Sequence, residues 1–333
     1  MKQKPLVLTP GDPIGIGPEI TWKALQAAHL RQKKIPLLCV GARKPFDDLG
    51  APIVEVSGNS PWVFPDRTEP FVWLLPAPEF PPSQDLHLQG YQSGWAIEKA
   101  TQLVLQGKAS ALVTGPISKD RLQKGGYRYP GHTEFLAELC QAPEVTMMLA
   151  NTSLRVSLVT THLGLSQVSQ ALSAEKIRKT ALQTAEGLRR LWGIKNPRLA
   201  VAALNPHAGE SGRFGREEID QIGPAIEALQ NEAQGRFEIT GPYPADTLFA
   251  KHHLASAEQR WDAIICMYHD QGLIPVKLLD FGKTVNITLG LPIIRTSVDH
   301  GVGFDIAGQG VADPSSLQTA IEWAFDFSKN QRC

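Results

Sequence analysis

The chain has 333 residues, no net formal charge, and an ordinary globular balance of 42% apolar to 20% charged residues. That length exceeds the usual size of one hydrophobic core, so two domains are expected. The absence of net charge and of like-charge blocks excludes nucleic acid or an anionic membrane as the main partner, and any charge on a substrate has to be met locally.

Cys39, Cys140, Cys266 and Cys333 are widely spaced and form no CxxC pair, which fits reduced thiols rather than a disulfide frame. The opening MKQKPLVLTPGD carries an apolar core of about four residues, short of a signal peptide, and no run approaches the roughly 18 apolar residues of a membrane span. A cytoplasmic protein is the expectation.

In chain order, PLVLT (5–9) reads as a strand. It leads into GDPIGIGPE, where Pro18 and Glu19 suit the first turn of a helix running through Trp22 and Leu25. LLCV (37–40) is a second strand. The stretch 59–82 holds seven prolines among tryptophans and aliphatics, and reads as an extended excursion packed on a domain surface. From Ser93, SGWAIEKATQLVLQG places Ile97, Ala100 and Val104 on one helical face and stops at Gly107; ALVTG (111–115) follows as a strand. AEKIRKTALQTAEGLRRLW (174–192) repeats the helical device with Ile177, Ala181, Leu188 and Trp192 on one side. Strands alternating with helices of this length predict parallel α/β layers, in which ligands collect at the carboxyl ends of strands.

Three apolar runs end on or near a histidine: RVSLVTTH (155–162), RLAVAALNPH (198–207) and DAIICMYH (262–269). Any one of His162, His207 and His269 would pass as a turn residue. Together, at equivalent strand ends, they read as a metal site in which three neutral imidazoles suit zinc, cobalt or nickel better than magnesium and leave a position open for substrate. Asp270, beside His269, either orients a ligand or caps a turn. Phosphate donors form a second theme: His132 and Thr133 in PGHTEF, Lys277, Asn286 in TVNIT and Arg295 in LPIIRTS lie near strand ends or loops, and a cation beside an apolar run needs an anionic partner. The loop GDPIGIGPE matches neither GxGxxG nor GxxxxGK[ST], and by itself is a strand-to-helix turn.

GDPIGIGPE, TGPISK (114–119), GHTEFL (131–136), TTHLGL (160–165), NPHAGE (205–210), GPYPADTLF (241–249), YHDQGLIPVK (268–277) and VDHGVGFDIAG (298–308) resemble, in order, the signature segments of the 4-hydroxythreonine-4-phosphate dehydrogenase family of pyridoxal phosphate biosynthesis. The resemblance implies an α/β fold of the isocitrate and isopropylmalate dehydrogenase type, with two α/β/α domains per subunit, an interdomain cleft, and a homodimer with its active site at the interface. The expected domains are 1–131 plus 285–333 and 132–284. It further implies that His162, His207 and His269 hold one divalent metal, whether zinc, cobalt or magnesium, shared between subunits, and that His132, Thr133, Lys277, Asn286 and Arg295 hold a phosphorylated substrate.

HGVGFDIAGQGVADP (300–314) is similar to the superfamily loop that holds the adenosine of NAD, with His300, Gly301, Asp305, Gly308 and Gly310 at matching positions; Val302, Gly303, Phe304 and Asp313 differ. The cofactor expected is NAD, with NADP open. The implied reaction oxidises 4-phosphooxy-L-threonine and decarboxylates the β-keto acid; a relative acting on a phospho-threonate or phospho-erythronate would present the same residues. A non-catalytic phosphate- or metal-binding module is the rival of another class. Asp246 and Lys119 are the candidates for the general base, against the plainer readings of a helix cap and a turn charge.

Overall fold

The structure, a computed structural model, describes residues 4–57, 62–65, 68–83 and 85–330. The chain divides into two compact units, Met1–Pro143 with Leu291–Lys329, and Glu144–Gly290 with Asn330–Cys333. Helix His132–Leu139 therefore belongs to the first unit.

The first unit contains β1 (Leu6–Thr9), α1 (Gly17–Gln26), α2 (Ala28–Gln32), β2 (Leu37–Gly41), α3 (Lys44–Asp48), β3 (Ile53–Glu55), β4 (Val72–Pro76), α4 (Leu88–Leu105), β5 (Ala111–Thr114), α5 (Lys119–Lys124) and α6 (His132–Leu139). The second contains β6 (Thr146–Ala150), β7 (Arg155–Leu158), α7 (Leu165–Ala171), α8 (Ala174–Trp192), β8 (Arg198–Ala202), α9 (Gly223–Ala233), β9 (Glu238–Tyr243), α10 (Ala245–Leu254), β10 (Ala263–Cys266), α11 (His269–Leu279) and β11 (Val285–Leu289); β12 (Arg295–Val298) and α12 (Ser315–Asn330) follow.

The strands of the first unit run β3-β4-β2-β1-β5-β12, every pair parallel. Such strands are covered on both faces, which is why β1, β2 and β5 are wholly buried and apolar but for the closing threonines Thr9 and Thr114. The proline-rich stretch departs from the surface excursion expected of it: among its described residues Val72–Pro76 is strand β4, paired on both sides, with Trp73 only 2% exposed and Trp62 and Phe64 packed on its ring. Its residues 59–61 and 66–67 lie outside the described residues. Helix α4 also starts earlier than its apolar pattern, at Leu88, because the His87 ring accepts a hydrogen bond from the Gly90 amide and caps it.

In the second unit the order is β11-β6-β7-β10-β8-β9. Here the all-parallel expectation fails. β6 runs antiparallel to both β7 and β11. The β6–β7 connection is too short for a crossover, and Asn151 closes it by accepting from the Ser153 and Leu154 amides. Helix α8 forms as its pattern predicts: Ser173 caps the start, Gly193 ends it at φ 69°, and Ile177, Ala181, Leu188 and Leu191 are buried. Among the described residues no helix is long and apolar enough to cross a membrane, and Cys39, Cys140 and Cys266 are free.

Candidate active site

Strands β7, β10 and β8 are consecutive and parallel in the second unit, so the three histidine-bearing connections leave the sheet at one edge. The rings of His162 and His269 stand side by side, centroids 5.8 Å apart. Two imidazoles bound to one ion at zinc–nitrogen bond lengths would have centroids about 5 Å apart, so this pair fits a shared cation. Asp270 Oδ1 lies 2.7 Å from His269 Nδ1, which favours the Nδ1–H tautomer and leaves Nε2 the nitrogen with a lone pair to offer. His207 sits in a left-handed loop, at φ 52°, beside Phe214. Among the described residues no three His, Cys, Asp or Glu side chains of one chain converge closely enough to hold a metal. The donor chemistry would suit a zinc-like ion, and one chain presents two of the three candidate histidines as a pair.

Asp246 lies in the first turn of α10, exposed, after the neighbouring strand β9. Lys277 is about two turns along α11 from His269, its ammonium 5.7 Å from the Phe281 ring. Asn286 sits early in β11, level with Leu149, itself level with Val156 of β7. Neither residue stands at the edge where the histidines emerge.

The first unit gathers the other phosphate candidates. Arg295 opens β12 and is 3% exposed, with Nε and Nη2 donating to the Thr114 hydroxyl oxygen at the end of β5 at 3.2 and 2.8 Å. Burial pushes its guanidinium down to about 9. His132, at the start of α6, has an enclosed Nε2 without a hydrogen-bond partner. Burial, and secondarily the charge of Arg295, hold this imidazole well below its usual value, so the ring is neutral. Thr133 follows it, and Lys119, the first residue of α5, brings its Cε within 3.7 Å of the place a side chain on Gly131 would occupy. Lys119 thus stands beside the start of α6.

The glycine-rich segment after β12 is tied down by the loop after β1. Ile16 N donates to Val302 O at 2.9 Å. Glu19 accepts from the amides of Gly310 and Ala312, and Lys23 donates to the carbonyls of the same two residues at 2.8 and 2.7 Å. Gly308 and Gly310 adopt φ 75° and 73°, which side-chain-bearing residues rarely take. His300 Nδ1 lies 3.0 Å from Gly301 O, its Nε2 is buried without a partner, and Asp305 is exposed. Arg121 lies over the Phe304 ring at 4.7 Å and approaches Asp12 to 3.9 Å. Asp12 is 1% exposed, its Oδ2 has no hydrogen-bond partner, and burial pushes its carboxyl up. A cavity of about 700 Å³ opens beside it, lined by Pro13, Ile14, Arg43, Gln89 and Gln92 among others.

Residues 72–324 match the family model described as pyridoxal phosphate biosynthetic protein PdxA. The chain belongs to the PdxA family. Among PdxA relatives, the 4-hydroxythreonine-4-phosphate dehydrogenase of Caulobacter vibrioides is 47% identical with 97% of each chain covered, and that of Trichlorobacter lovleyi is 42% identical with 96% of each covered. The crystal structure of 4-hydroxythreonine-4-phosphate dehydrogenase from Klebsiella pneumoniae superposes with a TM-score of 0.85 at 38% identity, over 98% of this chain and all of that one. A terephthalate 1,2-cis-dihydrodiol dehydrogenase from Burkholderia xenovorans aligns at 28% identity and a TM-score of 0.65, over 98% of each chain. Isocitrate dehydrogenase from Methylococcus capsulatus, 13% identical with a TM-score of 0.51, shares the fold. The protein is a PdxA-family dehydrogenase, an oxidoreductase with a place in pyridoxal phosphate biosynthesis.

Sequence reasoning missed Glu19 and Lys23 as anchors of the glycine-rich segment. The signal was present in GPEITWK (17–23), where Glu19 and Lys23 stand one helical turn apart, but the pair gains its further partners only once the 300–314 loop is folded against α1.

Proposed function

We propose that the protein oxidises 4-phosphooxy-L-threonine with NAD and decarboxylates the product to 3-amino-2-oxopropyl phosphate, in the cytoplasm, as a homodimer. The observation that carries the reading is the His162–His269 pair with Asp270 on the outer nitrogen, set in a chain that matches enzymes of that name from end to end. His162, His269 and His207 would hold a divalent cation, which would supply Lewis acidity toward the substrate hydroxyl and toward the charge left by loss of carbon dioxide.

The side chains divide the remaining work. Arg295, Lys119 and the start of α6, with His132 and Thr133, favour the substrate's phosphate, because a buried guanidinium and free helix amides both seek an anion. Lys277 and Asn286 are the remaining candidates for substrate contacts. The segment His300–Gly310, with Gly301, Asp305 and Gly308, holds the adenosine of NAD. Asp246 takes the hydroxyl proton.

One chain pairs His162 with His269, which supports assigning these two to one subunit and His207 to its partner. Helix α11, which begins at His269, carries Ile274 and Leu278, and the bend after it Phe281, at 66%, 84% and 73% exposure. That apolar stripe supports a second copy of the chain covering this helix.

The relative named for a dihydrodiol substrate favours testing a second reading, in which this chain acts on a different hydroxy acid. The test is production of reduced nicotinamide and carbon dioxide by the metal-loaded protein, offered 4-phosphooxy-L-threonine, phospho-threonate and phospho-erythronate in parallel. Turnover of the first by a wide margin supports the proposal. Preference for either of the others replaces the substrate and keeps the reaction class.

A further inference from the structure

The loop that presents His207 is held in a conformation it would not adopt alone. His207, Ala208, Glu210 and Ser211 take φ of 52°, 52°, 42° and 57°, with Gly209 at 79° between them. Left-handed backbone is unfavourable for residues that carry a side chain, so such a run persists only where its surroundings hold it. The holding group is Glu218, a carboxylate only 5% exposed. Its Oε1 accepts from the amides of Leu204 and Asn205, both at 2.8 Å, and its Oε2 accepts from the Asn205 side-chain amide at 3.0 Å. A side chain on Gly209 would lie 2.7 Å from the same Oε2, so the loop is wrapped closely round this carboxylate.

The clamp reaches the other two histidine segments. Asn205 Nδ2 also donates to Glu217 at 2.7 Å, and Glu217 accepts from the Ser169 hydroxyl on α7, the helix entered directly after the His162 turn. Gln271, two residues after His269, donates to the Ala203 carbonyl at 2.7 Å and accepts from the Met267 amide at 2.6 Å. Thr160 donates to the Met267 carbonyl at 2.7 Å. Each histidine segment is therefore bonded to another through side chains that themselves ligate nothing.

We propose that Glu218, Asn205, Glu217, Ser169 and Gln271 are positioning residues that hold the His207 loop and the His162 and His269 turns of the same chain in the conformations in which each histidine is presented to a metal. This rests on the reading of the histidines as metal ligands. Amides and carboxylates buried among loops could serve stability alone, and the two roles separate in metal affinity measured without turnover.

The experiment titrates Co²⁺ into metal-stripped protein, following the visible cobalt absorption and the affinity, for wild type, His207→Ala, Glu218→Gln and Ser169→Ala, with NAD affinity and melting temperature recorded alongside. Glu218→Gln should bind Co²⁺ about 10- to 100-fold more weakly with an altered cobalt spectrum, should regain activity at saturating metal, and should bind NAD as wild type does. Ser169→Ala, at an exposed helix position, should move affinity the same way by a smaller factor with an unchanged melting temperature. Should His207→Ala bind Co²⁺ like wild type, the metal reading itself fails. Should His207→Ala lose Co²⁺ while Glu218→Gln and Ser169→Ala bind normally, the ligand reading stands and the positioning network is overturned. If Glu218→Gln does not fold, Ser169→Ala and Gln271→Ala decide: weakened Co²⁺ binding in a stable protein supports the network, and wild-type binding in both overturns it.

Discussion

Arg295→Met separates binding from stability at one buried atom group. The guanidinium is 3% exposed and donates to the Thr114 hydroxyl through two nitrogens, while Thr114 itself donates to Ser297. Removing it forfeits roughly 1.5 kcal/mol or more for each of those charge-assisted bonds. It also relieves the several kcal/mol that taking a charge out of water costs, and methionine refills much of the volume. The unfolding free energy should therefore stay within about 2 kcal/mol of wild type. Substrate binding should not be spared: charge-assisted bonds to a phosphate are worth about 1.5 to 3 kcal/mol, or roughly 10- to 150-fold in affinity.

Calorimetric titration with the phosphorylated substrate, beside urea unfolding, reads both quantities. A pH series adds a signature. Burial lowers the folded-state pKa of Arg295 to about 9, so the cation is present at neutral pH and is lost as pH rises through that value. In the free wild-type enzyme kcat/KM should fall above it, and the methionine variant should lack that limb. Unchanged substrate affinity together with a stability loss beyond about 4 kcal/mol would make Arg295 a structural residue and refute the reasoning.

Asp270→Asn should weaken metal binding about 10- to 100-fold in competition with a chelating dye, since the carboxylate orients His269; wild-type affinity would reduce Asp270 to a turn residue. Lys23→Ala should raise the KM for NAD about fivefold by releasing Gly310 and Ala312, with the substrate KM unmoved, and an effect on substrate instead would detach this anchor from the cofactor segment. His252 is 3% exposed, with Nε2 3.1 Å from Ser153 O and Nδ1 without a partner, and burial holds its pKa below 6.5. The unfolded chain takes up that proton first, so stability should be flat above pH 6.5 and decline as pH falls below it; urea midpoints at pH 7.5 and 5.5 should differ less in His252→Phe, and an equal drop in both proteins would acquit this residue.

Much of this was legible in the sequence, and the gaps have physical causes. Helix α8 was readable because its cap, apolar face and terminal glycine are all local. The three histidines were readable as strand-end residues, yet their grouping depends on β10 inserting between β7 and β8, a pairing between segments far apart in the chain. β4 was hidden by the prolines that bracket it. The antiparallel turn at Asn151 was missed although the connection is too short for a parallel crossover. Asp12 and Glu218 were beyond reach, because a carboxylate acquires meaning from being buried, and burial is a property of the assembled fold.

The claim that organises the account is a metal site completed by two copies of the chain. Subunit exchange tests it most directly, by mixing the inactive His207→Ala and His269→Ala proteins and assaying the oxidation of 4-phosphooxy-L-threonine. In a mixed dimer one site collects both lesions and the other none. Random reassortment should then restore about a quarter of wild-type activity, since half of the dimers are mixed and half of their sites are intact. Activity that stays at the parental level, with exchange verified by a mass-tagged subunit, would place all the ligands on one chain and contradict the shared site.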